Sequence, residues 1–328
     1  QKSKDGRREV IIPAYACFSV PYGILKAGLK VSLCDITPET LDCDYDLLKK
    51  AINNDTLCVI PSNRFGLPSD MGRINELCND NHVFVVEDAA QAMGGTFEGK
   101  MLGTIGDAGF FSLGRGKNIT CGSGGIIVTD SDDIANAIRK KYSELENPTF
   151  LNEVKDYLVL LFMSIFIRPS LYWLPSAMPF LKLGETIFPR DFPIYKLSGI
   201  KAAILSNWKS RLEESNRFRK NTVELFGQCF NIPKSCLRIP LIFKDQDSRE
   251  SVYLSSQEKG MGISKMYPSP VNEIEEIKAS FSGEVYPMAS SIAGQLLSVP
   301  THQLLTKNDK ENIISFLNER ADQIYEKG

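Results

Sequence analysis

The stretch Val83-Phe84-Val85-Val86-Glu87-Asp88-Ala89-Ala90-Gln91 decides the fold of this chain of 328 residues. Its four apolar residues, followed by two carboxylates, predict a short buried strand that ends at Asp88. Similar apolar runs recur on both sides of it, and segments with helical periodicity separate them. Strands that alternate with helices are typical of a mostly parallel sheet with helices on both faces. The sequence therefore predicts the α/β class.

The other elements extend this pattern along the chain. Strands are predicted at 10–13, 31–34, 57–61, 108–112 and 125–129, and helices at 20–28, near 47–52, after an N-cap at Ser69, and after Ser131. A long amphipathic helix is predicted from Ser198 to about Phe226. Strands at 238–243 and 263–267, a helix at 247–260 and a last helix after Thr306 follow it. We therefore expect a large domain at 1–197 and a linker helix with a small α+β domain at 198–328.

A second informative stretch is Phe111-Ser112-Leu113-Gly114-Arg115-Gly116-Lys117-Asn118, and a Gly-rich stretch follows at 122–125. Parallel sheets bind ligands beyond the carboxyl ends of their strands. Asp88 and Ser112 are predicted at such ends, and Lys117 lies just beyond. Pyridoxal phosphate (PLP) is held by a lysine as a Schiff base, a carboxylate on its pyridinium nitrogen, and hydroxyl and backbone N–H groups on its phosphate. These residues indicate a PLP site.

Four ordered stretches carry a resemblance to a known family: 10–15, 87–92, 103–109 and 111–118. They resemble the DegT/DnrJ/EryC1/StrS family of PLP-dependent sugar aminotransferases, from about residue 9 to 139 and more weakly beyond 197. The resemblance implies fold type I and the transfer of an amino group, from glutamate, to a keto group of a nucleotide-linked sugar. It also implies a role in polysaccharide or glycoconjugate synthesis, and a homodimer whose active site is shared between subunits.

The resemblance assigns roles to the two central residues, and each role has a plain alternative. Lys117 is expected to form the Schiff base and to move a proton between Cα and C4′, although most lysines are solvated surface residues. Asp88 is expected to pair with the pyridine nitrogen, although an aspartate before Ala-Ala-Gln also fits a helix N-cap. Glu87 is not expected to be catalytic, because neighbouring residues of a strand face opposite ways.

Three further residues are expected to contact the cofactor. Gln91 contacts the hydroxyl side of the ring, or else is an ordinary polar helix residue. Ser112 binds the phosphate, or else local backbone. Cys17 stands where the family often has an aromatic residue that stacks on the ring, and a thiol covers less of a ring than an aromatic side chain does.

Two alternatives to transamination stay open at this point. Family members that dehydrate sugars carry histidine at the lysine position, so Lys117 favours transamination over dehydration. A non-catalytic relative that binds a partner or a membrane is the other alternative. Ile194 supports it, since many members have an asparagine there that reaches the partner subunit's phosphate. For transamination, Lys196 would have to replace that contact from the neighbouring subunit. We also expect a truncated N-terminus, because the family has a helix and a Gly-Thr phosphate motif before the first strand.

Composition disfavours other classes of function. Lys+Arg total 38 against 40 Asp+Glu, which gives no electrostatic footprint for nucleic acid. The eight cysteines include no C-x-x-C pair, and with two histidines they indicate no metal site. Several cysteines lie in apolar runs, which is typical of reduced thiols in a cytoplasmic protein.

The segment 157–183 is apolar, and Arg168 and Lys182 are its only charged residues. Pro169, Pro175 and Pro179 interrupt it, whereas a spanning helix needs about 20 apolar residues without such breaks. We therefore expect a core or dimer-interface helix followed by an apolar loop. Contact with a membrane or a lipid-linked sugar is the less favoured alternative.

Overall fold

The computed structural model describes residues 6–166, Phe188 and residues 194–325. Its main sheet has six strands in the order β2-β1-β3-β4-β7-β8. Neighbouring strands are parallel except β7 and β8, which are antiparallel. The strands are β1 Glu9–Pro13, β2 Lys30–Cys34, β3 Thr56–Val59, β4 Phe84–Asp88, the short hairpin β5 Thr96–Phe97 and β6 Lys100–Met101, β7 Ala108–Ser112 and β8 Gly125–Val128. The predicted mostly parallel α/β sheet is confirmed.

The helices flank this sheet and continue through the C-terminal segment. They are α1 Ser19–Lys26, α2 Tyr45–Ala51, α3 Met71–Asn79, α4 Asp132–Glu144, α5 Phe150–Phe166, α6 Gly199–Ile204, α7 Trp208–Phe226, α8 Gln246–Glu258, α9 Pro287–Gln295 and α10 Lys307–Asn318. A small antiparallel sheet pairs β9 Arg238–Ile242 with β10 Leu296–Pro300.

Both faces of the main sheet are buried, and β1 shows why. Val10 and Ile12 belong to a large apolar cluster that also contains C-terminal residues such as Val223. Ile11, between them, belongs to a different cluster with Leu48 of α2 and Ile74 of α3. Alternate side chains of a strand point to opposite faces, so this division places apolar layers on both sides of the sheet.

The long helix predicted from Ser198 to Phe226 is wrong in one respect, because α6 and α7 are separate helices. Ser198 caps α6 by accepting a hydrogen bond from the Lys201 N–H. The Arg211 side chain of α7 donates to the Ile204 carbonyl at 2.6 Å, which satisfies a carbonyl group at the end of α6. Trp208, the first residue of α7, is 49% exposed. Periodicity alone did not reveal the interruption.

Two smaller expectations are also corrected. Asp70, and not Ser69, caps α3 by accepting from the Arg73 N–H, while Ser69 is buried. The strand predicted at 263–267 is only an isolated bridge between Ser264 and Ser298. The segment around it is apolar enough to read as a strand, but β9 pairs with β10 instead.

Helix α5 covers the start of the apolar segment, and its side chains are not buried in this chain. Phe150 is 79% exposed and Leu158 56% exposed, so α5 is not a core helix. The remainder of the segment, 167–183, lies outside the described residues. In the described ranges no helix combines the length and apolar character needed to cross a bilayer.

Candidate active site

Asp88 ends β4 at the carboxyl edge of the sheet. It pairs in register with Phe110 of the adjacent parallel strand β7, two residues before Ser112, so Asp88 and Ser112 lie at the same edge. Asp88 is 7% exposed, and its Oδ1 accepts a hydrogen bond from the Ala90 N–H at 3.1 Å. A turn and no helix follows, so the alternative role of helix N-cap is wrong.

Lys117 lies in the loop between β7 and β8, and it is partly buried. Burial lowers the pKa of Lys117 below its usual value, while the nearby Cys17 and Asp88 act to raise it. Burial likewise raises the pKa of Asp88, opposed by the Ala90 N–H and by the positive charges of Lys117 and Arg64. The reciprocal effect places the amine and the carboxyl within electrostatic reach of each other.

Cys17 lies between β1 and α1, partly exposed, and packs against the large apolar cluster. Cys17 acts to raise the pKa of both Lys117 and Tyr267, which places it near both side chains. Tyr267 is fully enclosed: its ring lies 6.4 Å from that of Phe18, stacked, and 5.6 Å from that of Tyr15, edge-on. The structure therefore brings Cys17 to the lysine together with an aromatic group from the C-terminal segment.

Tyr267 was missed by the sequence reasoning, which placed it at the end of a strand. Its hydroxyl accepts a hydrogen bond from Gln91 Nε2 at 3.0 Å, while Gln91 Oε1 accepts from the Phe65 N–H at 2.9 Å. Gln91 is 5% exposed and lies in a turn rather than a helix. The available signal was a tyrosine directly before a Pro-x-Pro stretch, which favours a turn.

Ser112 and the glycines after it form the loop around the lysine. Ser112 Oγ accepts a hydrogen bond from the Gly114 N–H at 3.2 Å, which is the local-backbone alternative. Gly116 has φ of 76° and Gly124 of 120°, a region that favours glycine. Both allow the chain to turn sharply before and after the lysine, whereas Arg115 beside it is exposed.

Glu87 faces away from Asp88 and has a structural role, as expected. Its buried carboxylate accepts hydrogen bonds from the N–H groups of Gly103, Ile105 and Gly106. The loop after β6 is thereby held against the underside of the site.

Arg64 is a second buried residue that the sequence did not reveal. It is 1% exposed, its Nη1 donates to the Leu41 carbonyl at 2.6 Å, and its guanidinium lies 4.9 Å from the centre of the Tyr15 ring. Its charge lowers the pKa of Asp88 and thus favours the ionised carboxylate. An arginine is so rarely buried that no pattern in the sequence predicts it.

PLP needs an amine for its aldehyde carbon and a carboxylate for its ring nitrogen. Lys117 and Asp88 can supply both groups, and each acts on the pKa of the other, so the two lie near each other. The residues present fit this cofactor. The sheet order is that of fold type I, and the donor set is the one that PLP requires.

Residues 2–158 match the model of the DegT/DnrJ/EryC1/StrS aminotransferase family. A GDP-perosamine synthase from Caulobacter vibrioides is 24% identical over 327 residues, which cover 95% of this chain and 78% of the relative. A GDP-4-keto-6-deoxy-D-mannose 3-dehydratase from Escherichia coli is 34% identical over 126 residues, 38% of this chain and 32% of the relative. Curated relatives at 32–37% identity match over 126–150 residues, so the chain spans only 32–40% of their length.

Solved structures agree with the fold. The putative sugar aminotransferase Spr1654 from Streptococcus pneumoniae, in its PLP form, superposes with a TM-score of 0.72 at 19% identity. The superposition covers 96% of this chain and 81% of that one. At this level of identity the likeness establishes the shared fold.

Proposed function

We propose that the chain is a PLP-dependent aminotransferase that moves an amino group, from glutamate, to a keto group of a nucleotide-linked sugar. The observation that carries this proposal is the position of Asp88 at the carboxyl edge of the sheet, near enough to Lys117 for each to act on the pKa of the other. The match of residues 2–158 to the family model and the similarity to a GDP-perosamine synthase support the substrate class.

Lys117 is the catalytic residue in this proposal. Its lowered pKa increases the share of neutral amine near pH 7, and only the neutral amine is a nucleophile or a base. The bound cofactor supplies an electron sink for the negative charge that develops at Cα of the amino donor. Lys117 takes the proton from that Cα and returns it at C4′ of the cofactor.

Asp88 holds the proton on the pyridine nitrogen, which keeps the ring electron-poor. Gln91 and Cys17 line the ring, Gln91 at its hydroxyl side and Cys17 on one face. Ser112, at the end of β7, binds the phosphate together with backbone N–H groups of the glycine loop. In the structure Gln91 already bonds Tyr267, so its contact with the cofactor requires the amide to share or exchange this partner.

The proposal is tested by titrating the purified chain with PLP and recording visible absorbance. We expect a band from the lysine-linked cofactor, which glutamate bleaches with formation of 2-oxoglutarate. Lys117→Ala should lose the band and the borohydride-stable label, whereas Lys201→Ala, a control lysine paired with Asp156, should keep both. A label on another lysine would reject Lys117, and no band at all would favour the non-catalytic alternative.

A sugar dehydratase is the second candidate, because the dehydratase from E. coli is among the similar relatives. Lys117 argues against it, since the members of the resembled family that dehydrate sugars carry histidine at this position, whereas a lysine amine can both bind the cofactor aldehyde and, once the donor amine has displaced it, move the proton. The two reactions differ in product: an aminotransferase incorporates ¹⁵N from labelled glutamate into the sugar, and a dehydratase releases a deoxy sugar without it.

We also propose a homodimer that uses α5 as part of its interface, and a cytoplasmic location. Exposed apolar side chains of α5 support the first, because such patches mark interaction surfaces. The free state of all eight cysteines is consistent with the second. The division of the chain at 197/198 into two domains likewise stays a proposal.

A further inference from the structure

Helix α7 lies directly beside the loop that carries Lys117. Asn216 and Arg219 are three residues apart and therefore lie on one face of this helix. Asn216 Oδ1 accepts a hydrogen bond from Asn118 Nδ2 at 2.9 Å, and Arg219 Nη2 donates to the Lys117 carbonyl at 3.4 Å. Two consecutive residues of the loop are thus bonded to two side chains of one rigid helix.

The same two side chains also bond to other parts of the molecule. Asn216 Nδ2 donates to the Met93 carbonyl at 3.0 Å, two residues after Gln91. Arg219 Nη1 donates to the Leu237 carbonyl at 2.8 Å and to Thr301 Oγ1 at 3.0 Å. Arg219 therefore joins the lysine loop to the segments that flank β9 and β10.

Arg219 is buried among neutral hydrogen-bond acceptors and, in the described part of the chain, not beside a carboxylate. It is 7% exposed, its hydrogen-bond acceptors are carbonyl and hydroxyl oxygens, and within the described residues it forms no salt bridge. Burial lowers its pKa to about 10. A buried guanidinium is costly, and its planar set of N–H groups is suited to holding several acceptors in one geometry.

We propose that Arg219 and Asn216 are positioning residues that fix the main chain at Lys117 and Asn118, so that the lysine amine stays aimed at the cofactor site. Because Arg219 also binds Leu237 and Thr301, correct placement of the lysine depends on docking of the C-terminal segment. The inference rests on the proposed role of Lys117. It adds that a side chain distant from the cofactor decides where the amine lies, and small displacements of a reacting group have large effects on rate.

The test uses the full chain and two readouts. The first is the rate at which PLP is captured on Lys117, trapped with borohydride and located by peptide mapping. The second is hydrogen exchange of the backbone amides of residues 113–121 in the cofactor-free protein, which requires no reaction. The variants are Arg219→Met, Arg219→Lys and Asn216→Ala, compared below the melting temperature of each.

Arg249 provides a matched control. It is 5% exposed and donates to the carbonyls of Gly294 at 2.8 Å and Ala293 at 3.3 Å, and it does not contact the lysine loop. Arg249→Met therefore removes a comparably buried guanidinium from carbonyl partners elsewhere, together with its ion pair to Glu250 at 3.5 Å. A purely structural effect would be similar in both arginine variants.

We expect Arg219→Met to slow capture on Lys117 by about 10- to 100-fold and to speed exchange in residues 113–121. Arg219→Lys, which retains one donor group, should recover part of the loss, and Arg249→Met should alter neither readout. The inference is overturned if Arg219→Met and Asn216→Ala both capture PLP and exchange amides at the wild-type rates. It is also overturned if Arg249→Met changes both readouts as much as Arg219→Met does. If Arg219→Met does not fold, Arg219→Lys and Asn216→Ala decide by the same criteria. Capture on a lysine other than 117 in the wild type would instead reject the proposed function.

Discussion

Asp88 is more useful to a bound cofactor than to the stability of the cofactor-free fold. Burial raises its pKa, so the folded state disfavours the ionised form that a pyridinium nitrogen requires. Ala90, Arg64 and Lys117 oppose this effect only in part. The protonated ring nitrogen of a bound cofactor would offset the remaining free-energy cost of the ionised carboxylate. Buried groups with shifted pKa values are common at functional sites for this kind of reason.

This predicts opposite effects of Asp88→Asn on stability and on binding. A carboxyl with a raised folded-state pKa loses stability as pH rises through that pKa, so cofactor-free Asp88→Asn should melt higher than wild type at pH 7. The difference should shrink as pH falls below the ordinary carboxyl range. PLP affinity should fall by ~10–100-fold, the value of a hydrogen bond to a charged group. Melting curves against pH and PLP titrations check both; unchanged affinity would contradict the assigned role.

His302 is a second residue with a testable pH dependence. Its burial, with Arg219 and Arg238 nearby, lowers its pKa to about 4. As the pH falls, the unfolded chain therefore protonates His302 at a higher pH than the folded protein does. Stability should be unaffected above pH ~6.5 and should fall by on the order of 3 kcal/mol on acidification to pH ~4. His302→Gln should flatten this part of a chemical-denaturation profile, and an equally steep profile in the variant would contradict it.

At the scale of elements, the site depends on how closely the loop after β6 approaches β7. A Cβ placed on Gly109 of β7 would lie 2.1 Å from the Gly103 carbonyl oxygen, and backbone cannot yield as a flexible side chain does. Glu87 of β4 holds the same loop by accepting hydrogen bonds from the N–H groups of Gly103, Ile105 and Gly106. The position of β7, and of Ser112 at its end, thus requires glycine at 109.

Two glycine-to-alanine changes should have opposite effects. Gly109→Ala forces the loop from β7 and should destabilise the protein by about 3 kcal/mol or more, as in overpacked cores. Gly23→Ala, in α1 with nothing within 4 Å of the new Cβ, should stabilise it by about 0.5–1 kcal/mol. Urea unfolding of both variants provides the comparison. A Gly109→Ala protein as stable as wild type would show that the loop can move away.

At the scale of the whole molecule, one apolar cluster contains residues from both proposed domains. Ile12 of β1 and Phe18 belong to it together with Phe226, Ile239 and Phe316. We therefore expect one cooperative unfolding transition in calorimetry rather than two, because neither part can lose its share of this core independently. Two separated transitions, with limited proteolysis cutting near residue 197, would instead support independently stable domains.

Assembly also belongs to this scale. Leu158 and Phe162 of α5 are 56% and 40% exposed and lie one turn apart. If α5 forms the dimer interface, Leu158→Glu with Phe162→Glu should shift the chain to monomer in sedimentation velocity without lowering its melting temperature. Leu254→Glu, at an apolar residue of α8 that is 55% exposed, is the control and should leave assembly unchanged. Unaltered assembly of the double variant would contradict an interface at α5. If the wild-type chain also binds liposomes and the variant does not, α5 is instead a membrane-binding surface.

The sequence by itself determined the alternation of strands and helices, the strand that ends at Asp88 and the loop that carries Lys117. These features are local: apolar runs, cap residues and glycines are read over a few positions. The same reasoning placed Ser112 near Asp88 because parallel strands share an edge. It failed at the break between α6 and α7, where a hydrogen bond from Arg211 replaces helical continuity.

Only the tertiary structure decided which distant residues complete the site. Tyr267 reaches Gln91 across 176 positions of sequence, and Arg219 reaches the Lys117 carbonyl across 102. Periodicity carries no information about such contacts, because they depend on how the C-terminal segment packs onto the sheet. The same is true of Arg64, whose burial follows from the chain around it and not from its own neighbours in sequence.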